Sequence, residues 1–279
     1  MERTLTIEGT RLVLDDDGDG PALVCLHAIG HDGADFGRLR ARLRDRWRVI
    51  ALDWPGQGRS PRDAGPVTAA RYATLVSGLL DALGIETAVV LGNSIGGAAA
   101  LTYAARRPDR VRALVLENTG GLAPVNDRAA QGFLGAMAGF FAAGRRGAWW
   151  YGPAFAVYYR LVLQRAAAAD ARARIVARAY DLAPVLEDAW RGFASSDADL
   201  RGLASRVACP VLFAWAERDR IITLARSRAT IDAFPNGELV RFPAGHAAHL
   251  ETPDAFEAAL DRFLAALPPV VATSRRAAP

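Results

Sequence analysis

Leu91-Gly92-Asn93-Ser94-Ile95-Gly96-Gly97 sets one serine among glycines, at the seam between an apolar run and a helix of small residues. Ala88 to Leu91 reads as a strand, and Ala98, Ala99 and Ala100 open a helix slim enough to lie close to it. Gly92, Gly96 and Gly97 relieve the crowding of a sharp turn that would hold Ser94 in a strained backbone conformation. A serine on such a strand-to-helix turn points its hydroxyl out of the top of a sheet, as a nucleophile elbow does. The pattern is short, and a glycine-rich turn that merely contains serine competes with it. The surrounding chain has to decide between the two.

At 279 residues, 51% of them hydrophobic, the chain suits one large globular domain or a domain carrying an insertion. The formal net charge is +4, and all 34 basic residues are arginine. A chain without lysine has no Walker A phosphate loop, no Schiff base to pyridoxal phosphate and no serine–lysine dyad. Arg38, Arg40, Arg42, Arg44, Arg46 and Arg48 alternate along an expected helix and its exit. They therefore point in several directions and read as solvated surface, not as a nucleic-acid face. Cys25 and Cys209 read as buried thiols outside any disulfide framework. Glu2 to Ile7 alternates polar and apolar residues and lacks the apolar core of a signal peptide, and no apolar run reaches the ~20 residues of a membrane span. A cytoplasmic location without membrane contact is expected.

Taken in order, Thr4 to Ile7 and Arg11 to Asp15 read as a hairpin of two short strands. The loop Asp15-Asp16-Asp17-Gly18-Asp19-Gly20 imitates the start of a calcium loop. However, Leu26 stands where the bidentate glutamate is needed, so no metal is expected there. Ala22 to Leu26 is an apolar strand running into His27-Ala28-Ile29-Gly30-His31-Asp32, with a helix expected over Phe36 to Arg46. A strand over Arg48 to Leu52 leads into Asp53-Trp54-Pro55-Gly56-Gln57-Gly58-Arg59-Ser60-Pro61. Its glycines begin a dinucleotide fingerprint that Pro61 breaks. A helix over Ala69 to Leu83 stops at Gly84; after Ser94 the next helix ends at Arg106-Arg107 before Pro108, and Val111 to Leu116 is a further strand. From 122 to 206 strand signal gives way to alanine-rich helical spacing, with Trp149, Trp150, Tyr151, Phe155, Tyr158 and Tyr159 clustered beside Gly152-Pro153. Strands return at Pro210 to Trp215 and Glu238 to Phe242. Helices are expected at about Thr223 to Phe234 and Asp254 to Leu267, with a frayed tail over 268–279.

Alternating strands and helices imply an α/β fold: a mostly parallel, doubly wound sheet of about eight strands, interrupted by a helical cap. The expected organisation is 1–121 as the first part of the core, 122–206 as the cap and 207–267 as the rest of the core. The carboxyl ends of the parallel strands share one edge, so Ser94, Asp219 and His246 fall in loops on the same side. Together with the His27 loop, Asp53 to Ser60 and Gly245-His246 before the final helix, the order serine, aspartate, histidine resembles the α/β-hydrolase superfamily over about residues 1 to 267.

That resemblance implies that Ser94 is the nucleophile, His246 the proton acceptor and Asp219 the acid that orients it. It also implies backbone amides of Ile29 and Ile95 as the oxyanion hole. The chain departs from the family at Ala28, where glycine usually follows the strand-end histidine. His249 competes with His246, and Glu217 with Asp219; the alternative position for the acid holds Asn118, which is no carboxylate. Trp54, Trp149, Trp150, Tyr158 and His249 are the expected pocket residues, since such pockets are largely apolar with few polar groups. No cofactor or metal is expected, and partners narrow to a small-molecule substrate and, at most, further copies of the chain. The leading expectation is a carboxylic ester or lactone hydrolase working through an acyl-enzyme. The alternatives are a carbon–carbon bond hydrolase of ring-cleavage products, whose elbow Gly92 to Gly97 resembles but whose tryptophan is Ala247 here, a cofactor-free perhydrolase or haloperoxidase, and a non-catalytic binder of the same fold.

Overall fold

The computed structural model describes residues 1–269, so the tail expected over 268–279 lies almost wholly outside the described residues. Its strands are β1 (Glu2–Ile7), β2 (Thr10–Asp17), β3 (Ala22–Leu26), β4 (Arg48–Leu52), β5 (Ala88–Asn93), β6 (Val111–Glu117), β7 (Val211–Ala216) and β8 (Gly237–Phe242). They form one sheet in the order β1-β2-β4-β3-β5-β6-β7-β8. β1 pairs antiparallel with β2, and β2 with β4; every other pairing is parallel. The order reverses around β3, which places the carboxyl ends of β3, β5, β6 and β7 side by side.

The helices are α1 (Gly37–Leu43), α2 (Ala69–Ala82), α3 (Ile95–Arg106), α4 (Arg128–Arg145), α5 (Tyr151–Val162), α6 (Ala169–Ala177), α7 (Ala179–Phe193), α8 (Leu224–Ile231), α9 (Ala248–Glu251) and α10 (Pro253–Ala265). Side chains alternate across the central strands. Leu23 and Cys25 of β3 pack with Leu39 of α1 and Leu260 of α10, whereas Val24 and Leu26 join the layer that holds Tyr72 of α2 and Leu101 of α3. Such strands read as unbroken apolar runs because both faces are covered. Helices α4 to α7 are inserted between β6 and β7 and form the cap, their Phe141, Phe155 and Trp190 continuing the second layer.

Two expectations are corrected. Asp15, Asp16 and Asp17 do not loop out: they extend β2, paired with Ala51, Ile50 and Val49 of β4, because arginines meet each carboxylate. Arg40 reaches Asp15 (2.6 Å) and Asp17 (2.9 Å), and Arg48 holds Asp16 (2.7 Å). Arg38, Arg42, Arg44 and Arg46 are exposed, as a solvated surface requires, and Arg38 also bridges Asp254 (2.5 Å) and Glu257 (2.7 Å) of α10. The helix over Phe36 to Arg46 is shorter, a 3-10 turn at Gly33–Phe36 and then α1, because Asp32 caps Ala34 and starts the turn early. The short helix α9 after His246 was not foreseen, since four residues carry too little periodicity to read.

Candidate active site

At the end of β5 the chain turns into α3 through Ser94, a non-glycine residue at φ +56°, ψ −116°. Such a conformation costs about 1–3 kcal/mol and persists only where its surroundings hold it. Here the Ser94 amide donates to the Glu117 carbonyl of β6 (2.9 Å), and the Ser94 carbonyl accepts from Ala98 (3.0 Å) and Gly120 (3.2 Å). A Cβ at Gly96 would overlap the backbone carbonyl of Leu26, so only glycine lets α3 press this close to β3. The turn is therefore a nucleophile elbow in geometry as well as in sequence.

His246 lies in the loop after β8, and Asp219 in the loop after β7. Their side chains meet with His246 Nδ1 2.7 Å from Asp219 Oδ2, both residues buried. Asp219 Oδ2 also accepts from Asn118 Nδ2 (2.7 Å), and its Oδ1 accepts from the amides of Ile221 (2.7 Å) and Ile222 (3.1 Å). Asn118 is itself locked by Ala216, donating to its carbonyl (3.2 Å) and accepting from its amide (2.7 Å). Burial works against a protonated His246, but the charge and hydrogen bond of Asp219, with Glu117 and Glu251 further off, hold its pKa above the ordinary imidazole value. Glu217, the rival acid, turns away to an ion pair with Arg241.

The His246 loop is pinned by Glu251, whose Oε1 accepts from the amides of Gly245 (2.8 Å), His246 (2.9 Å) and Ala247 (3.3 Å). Its Oε2 accepts from Gln164 (2.7 Å) and Arg165 (3.1 Å), which close the cap's α5, so one buried carboxylate ties cap and loop together. Neither Glu251 nor Asn118 in this role was foreseen, because carboxylate-to-amide anchoring has no spacing signature.

The loop after β3 carries Ile29. Ala28 needs no positive φ; the unusual conformation falls on Gly30 (φ +79°) instead, so alanine is tolerated after His27. The Gly30 amide donates to Gln57 Oε1 (2.6 Å), whereas among the described residues the amides of Ile29 and Ile95 have no hydrogen-bond partner. Gly58 faces Asp53, whose carboxylate accepts from Gly33 (2.7 Å) and Arg59 (2.9 Å) amides; these glycines brace the loop and leave no room for a dinucleotide reading.

A cavity of about 380 Å³ opens between these loops and the cap, lined by Ser94, His246, Ile29 and Ile95 below and by Tyr158, Tyr159 and Trp190 above. Tyr158 is the one expected pocket aromatic that reaches it. Trp54 is fully buried elsewhere, stacked on Tyr72 with ring centroids 4.1 Å apart and donating to the His27 carbonyl (3.0 Å). Trp149 is 86% exposed and Trp150 41% exposed on the outer surface of the cap, at the turn leading into α5. His249 is buried behind the site, its Nδ1 2.7 Å from Glu117 and its ring stacked 4.8 Å from Phe36. Aromatic clustering marks a packing layer, but which face of it meets the cavity depends on helix rotation that composition does not carry.

The alpha/beta hydrolase fold family matches residues 21–253. The chain belongs to that family. This alpha/beta hydrolase is 31% identical to a 2-hydroxymuconate semialdehyde hydrolase of Pseudomonas putida, over 94% of either chain. It is 32% identical to a pimeloyl-[acyl-carrier protein] methyl ester esterase of Chromobacterium violaceum, over 88% of this chain and 95% of that one. The crystal structure of the enol-lactonase from Burkholderia xenovorans LB400 aligns with a TM-score of 0.78 at 25% identity, covering 94% of this chain and 100% of the other. Hydrolysis is common to all three names, and the cavity suits a small, largely apolar substrate. Among the described residues no helix is long and apolar enough to cross a membrane.

Proposed function

We propose that this alpha/beta hydrolase is a serine hydrolase that breaks a carbon–carbon bond beside a carbonyl in a product of aromatic ring cleavage. The observation that carries the reading is the meeting of Ser94, His246 and two unpartnered amides on one apolar cavity under the cap. The likeness to a 2-hydroxymuconate semialdehyde hydrolase along nearly the whole chain supports the choice of bond.

In this reading Ser94 Oγ attacks the carbonyl carbon while His246 Nε2 takes its proton, and Asp219 holds Nδ1–H so that Nε2 presents its lone pair. The amides of Ile29 and Ile95 stabilise the oxyanion. His246 returns the proton to the departing carbon, leaving an acyl-enzyme on Ser94. Water then attacks with His246 as base and releases a carboxylic acid. The same machinery cleaves an acyl–oxygen bond, and this second reading draws on two observations. Ala247 is small where the carbon–carbon hydrolases carry tryptophan, and the chain is comparably similar to an ester hydrolase.

Both readings are tested by reacting the protein with a fluorophosphonate and comparing kcat/KM on 2-hydroxymuconate semialdehyde and on 4-nitrophenyl butanoate. Labelling of Ser94, loss of both activities in Ser94→Ala and a kcat/KM at least tenfold higher on the semialdehyde are expected. The reverse preference assigns the ester reading, and turnover that survives Ser94→Ala refutes both.

A further inference from the structure

The cavity holds a second imidazole. His31, two residues beyond Ile29, lines the same cavity as Ser94 and His246 and is 3% exposed. Its Nδ1 lies 2.5 Å from Asp35 Oδ2, and Asp35 Oδ1 accepts from Arg174 of the cap's α6 (2.7 Å). The mechanism above uses none of these three residues.

What distinguishes His31 from a packing histidine is its other nitrogen. His249 Nε2 is sealed in the interior without a partner, as a ring buried for packing can be. His31 Nε2 has no hydrogen-bond partner among the described residues and is not among the sealed atoms. A singly protonated ring that gives its Nδ1–H to Asp35 has its lone pair at Nε2, the nitrogen left without a protein partner on the cavity-lining side. Tyr159 stands beside it, ring centroids 5.8 Å apart. The Tyr159 hydroxyl approaches Gly30 so closely that a Cβ there would lie 2.7 Å from it. Burial keeps this phenol protonated, so it is a hydrogen-bond donor without a protein acceptor among the described residues.

An acceptor and a donor side by side in a largely apolar cavity match one kind of group. A hydroxyl, enol or phenol donates to one and accepts from the other; a ketone or carboxylate oxygen only accepts and leaves the Nε2 lone pair unmatched. We propose that His31, oriented by Asp35 and Arg174, is a substrate-contacting residue that with Tyr159 selects ligands carrying a protic oxygen away from the carbonyl attacked by Ser94. The inference rests on Ser94 being the nucleophile.

The test reads the rate at which a fluorophosphonate labels Ser94 in the presence of protecting ketones. The probes are 4-phenylbutan-2-one and its three ring-hydroxylated isomers, 4-(2-, 3- and 4-hydroxyphenyl)butan-2-one, which sweep the hydroxyl across the cavity. In the wild-type protein at least one phenol is expected to protect about tenfold or more better than the plain ketone, the worth of one hydrogen bond to a polarised group. His31→Leu is expected to erase that ratio, His31→Gln to keep part of it, and Asp35→Asn, which frees the ring's orientation, to reduce it. Failure of Ser94 to label refutes the serine-hydrolase reading itself. Labelling with no phenol preferred by the wild type overturns the inference about His31 alone, whether or not the variants fold. A preference that survives in His31→Leu does the same.

Discussion

Replacing Asp219 by asparagine tests the geometry at its most constrained atom. Asp219 Oδ1 is committed to two amides, and Oδ2 faces two groups, His246 Nδ1 and Asn118 Nδ2. An asparagine must keep its oxygen on the amides, which places its NH2 where Oδ2 was. Asn118 cannot turn to receive it, since Ala216 holds both ends of its amide. The new NH2 therefore donates to His246 Nδ1, fixes the proton on Nε2 and removes the lone pair that Ser94 needs. The same change of tautomer in a serine-protease triad lowers kcat by about 10⁴. A fall of 10³ to 10⁴ is expected here, about 4–5 kcal/mol of transition-state stabilisation.

The pH profile gives a second reading of the same variant. His246 must be neutral to accept a proton, and Asp219 holds its pKa above the ordinary value of 6.5. The wild-type kcat/KM therefore rises through a midpoint above that value. With the carboxylate gone, burial dominates and the midpoint of the residual activity moves down. Steady-state kinetics from pH 5 to 9 on either substrate class measure both effects. A kcat within tenfold of wild type, an unmoved midpoint, or a larger loss in Glu217→Gln than in Asp219→Asn would refute the assignment.

Glu251→Ala frees five amides at once and lets the His246 loop drift. Because misplacement by about 1 Å can cost 10²-fold, kcat/KM and the rate of fluorophosphonate labelling are expected to fall together by about that factor. Glu117→Ala strips the partner from buried His249 and is expected to cost about 3–5 kcal/mol, read by thermal melting as a drop of roughly 6–15 °C. His249 has its pKa raised in the fold, against burial, by Glu117. The pair's contribution is accordingly full below pH ~6.5 and fades as pH rises through the raised value, so the melting difference narrows at alkaline pH. Gly96→Ala drives a Cβ into the Leu26 carbonyl and is expected to abolish soluble folded protein, judged by expression yield and circular dichroism.

The elbow, the sheet and the order of the three site residues were legible because each has a local signature. Gly92 to Gly97 encode a backbone that no other residues tolerate, continuous apolar runs encode strands covered on both faces, and Pro108 and Gly84 mark where helices must stop. Asp219 and His246 were preferred over Glu217 and His249 on the family resemblance, His246 because it follows Gly245 in the loop position the family uses and Asp219 because the alternative position for the acid holds Asn118. The structure then gave each rival a different occupation: Glu217 an arginine at the surface, His249 a carboxylate behind the site.

Side-chain roles that depend on several elements at once were not legible. Trp54 and Trp149 share a residue type, yet one is sealed under Tyr72 and the other stands in solvent, because helix rotation and loop path choose the neighbour. Glu251 acts on backbone amides, both nearby at Gly245 to Ala247 and distant at Gln164 and Arg165, and Asn118 joins Ala216 to the Asp219 carboxylate; backbone groups are the same at every position, so no pattern points to either residue. His31 sat in a loop read only for its oxyanion amide; Asp35, which holds its ring, is four residues on, and Arg174, which holds Asp35, comes from the cap. The sequence by itself determined the elbow, the sheet and the candidate residues at its strand ends, because strain, strand ends and residue chemistry are local. Only the tertiary structure decided what shares the cavity with it, because the docking of the cap on the sheet turns distant side chains toward one volume.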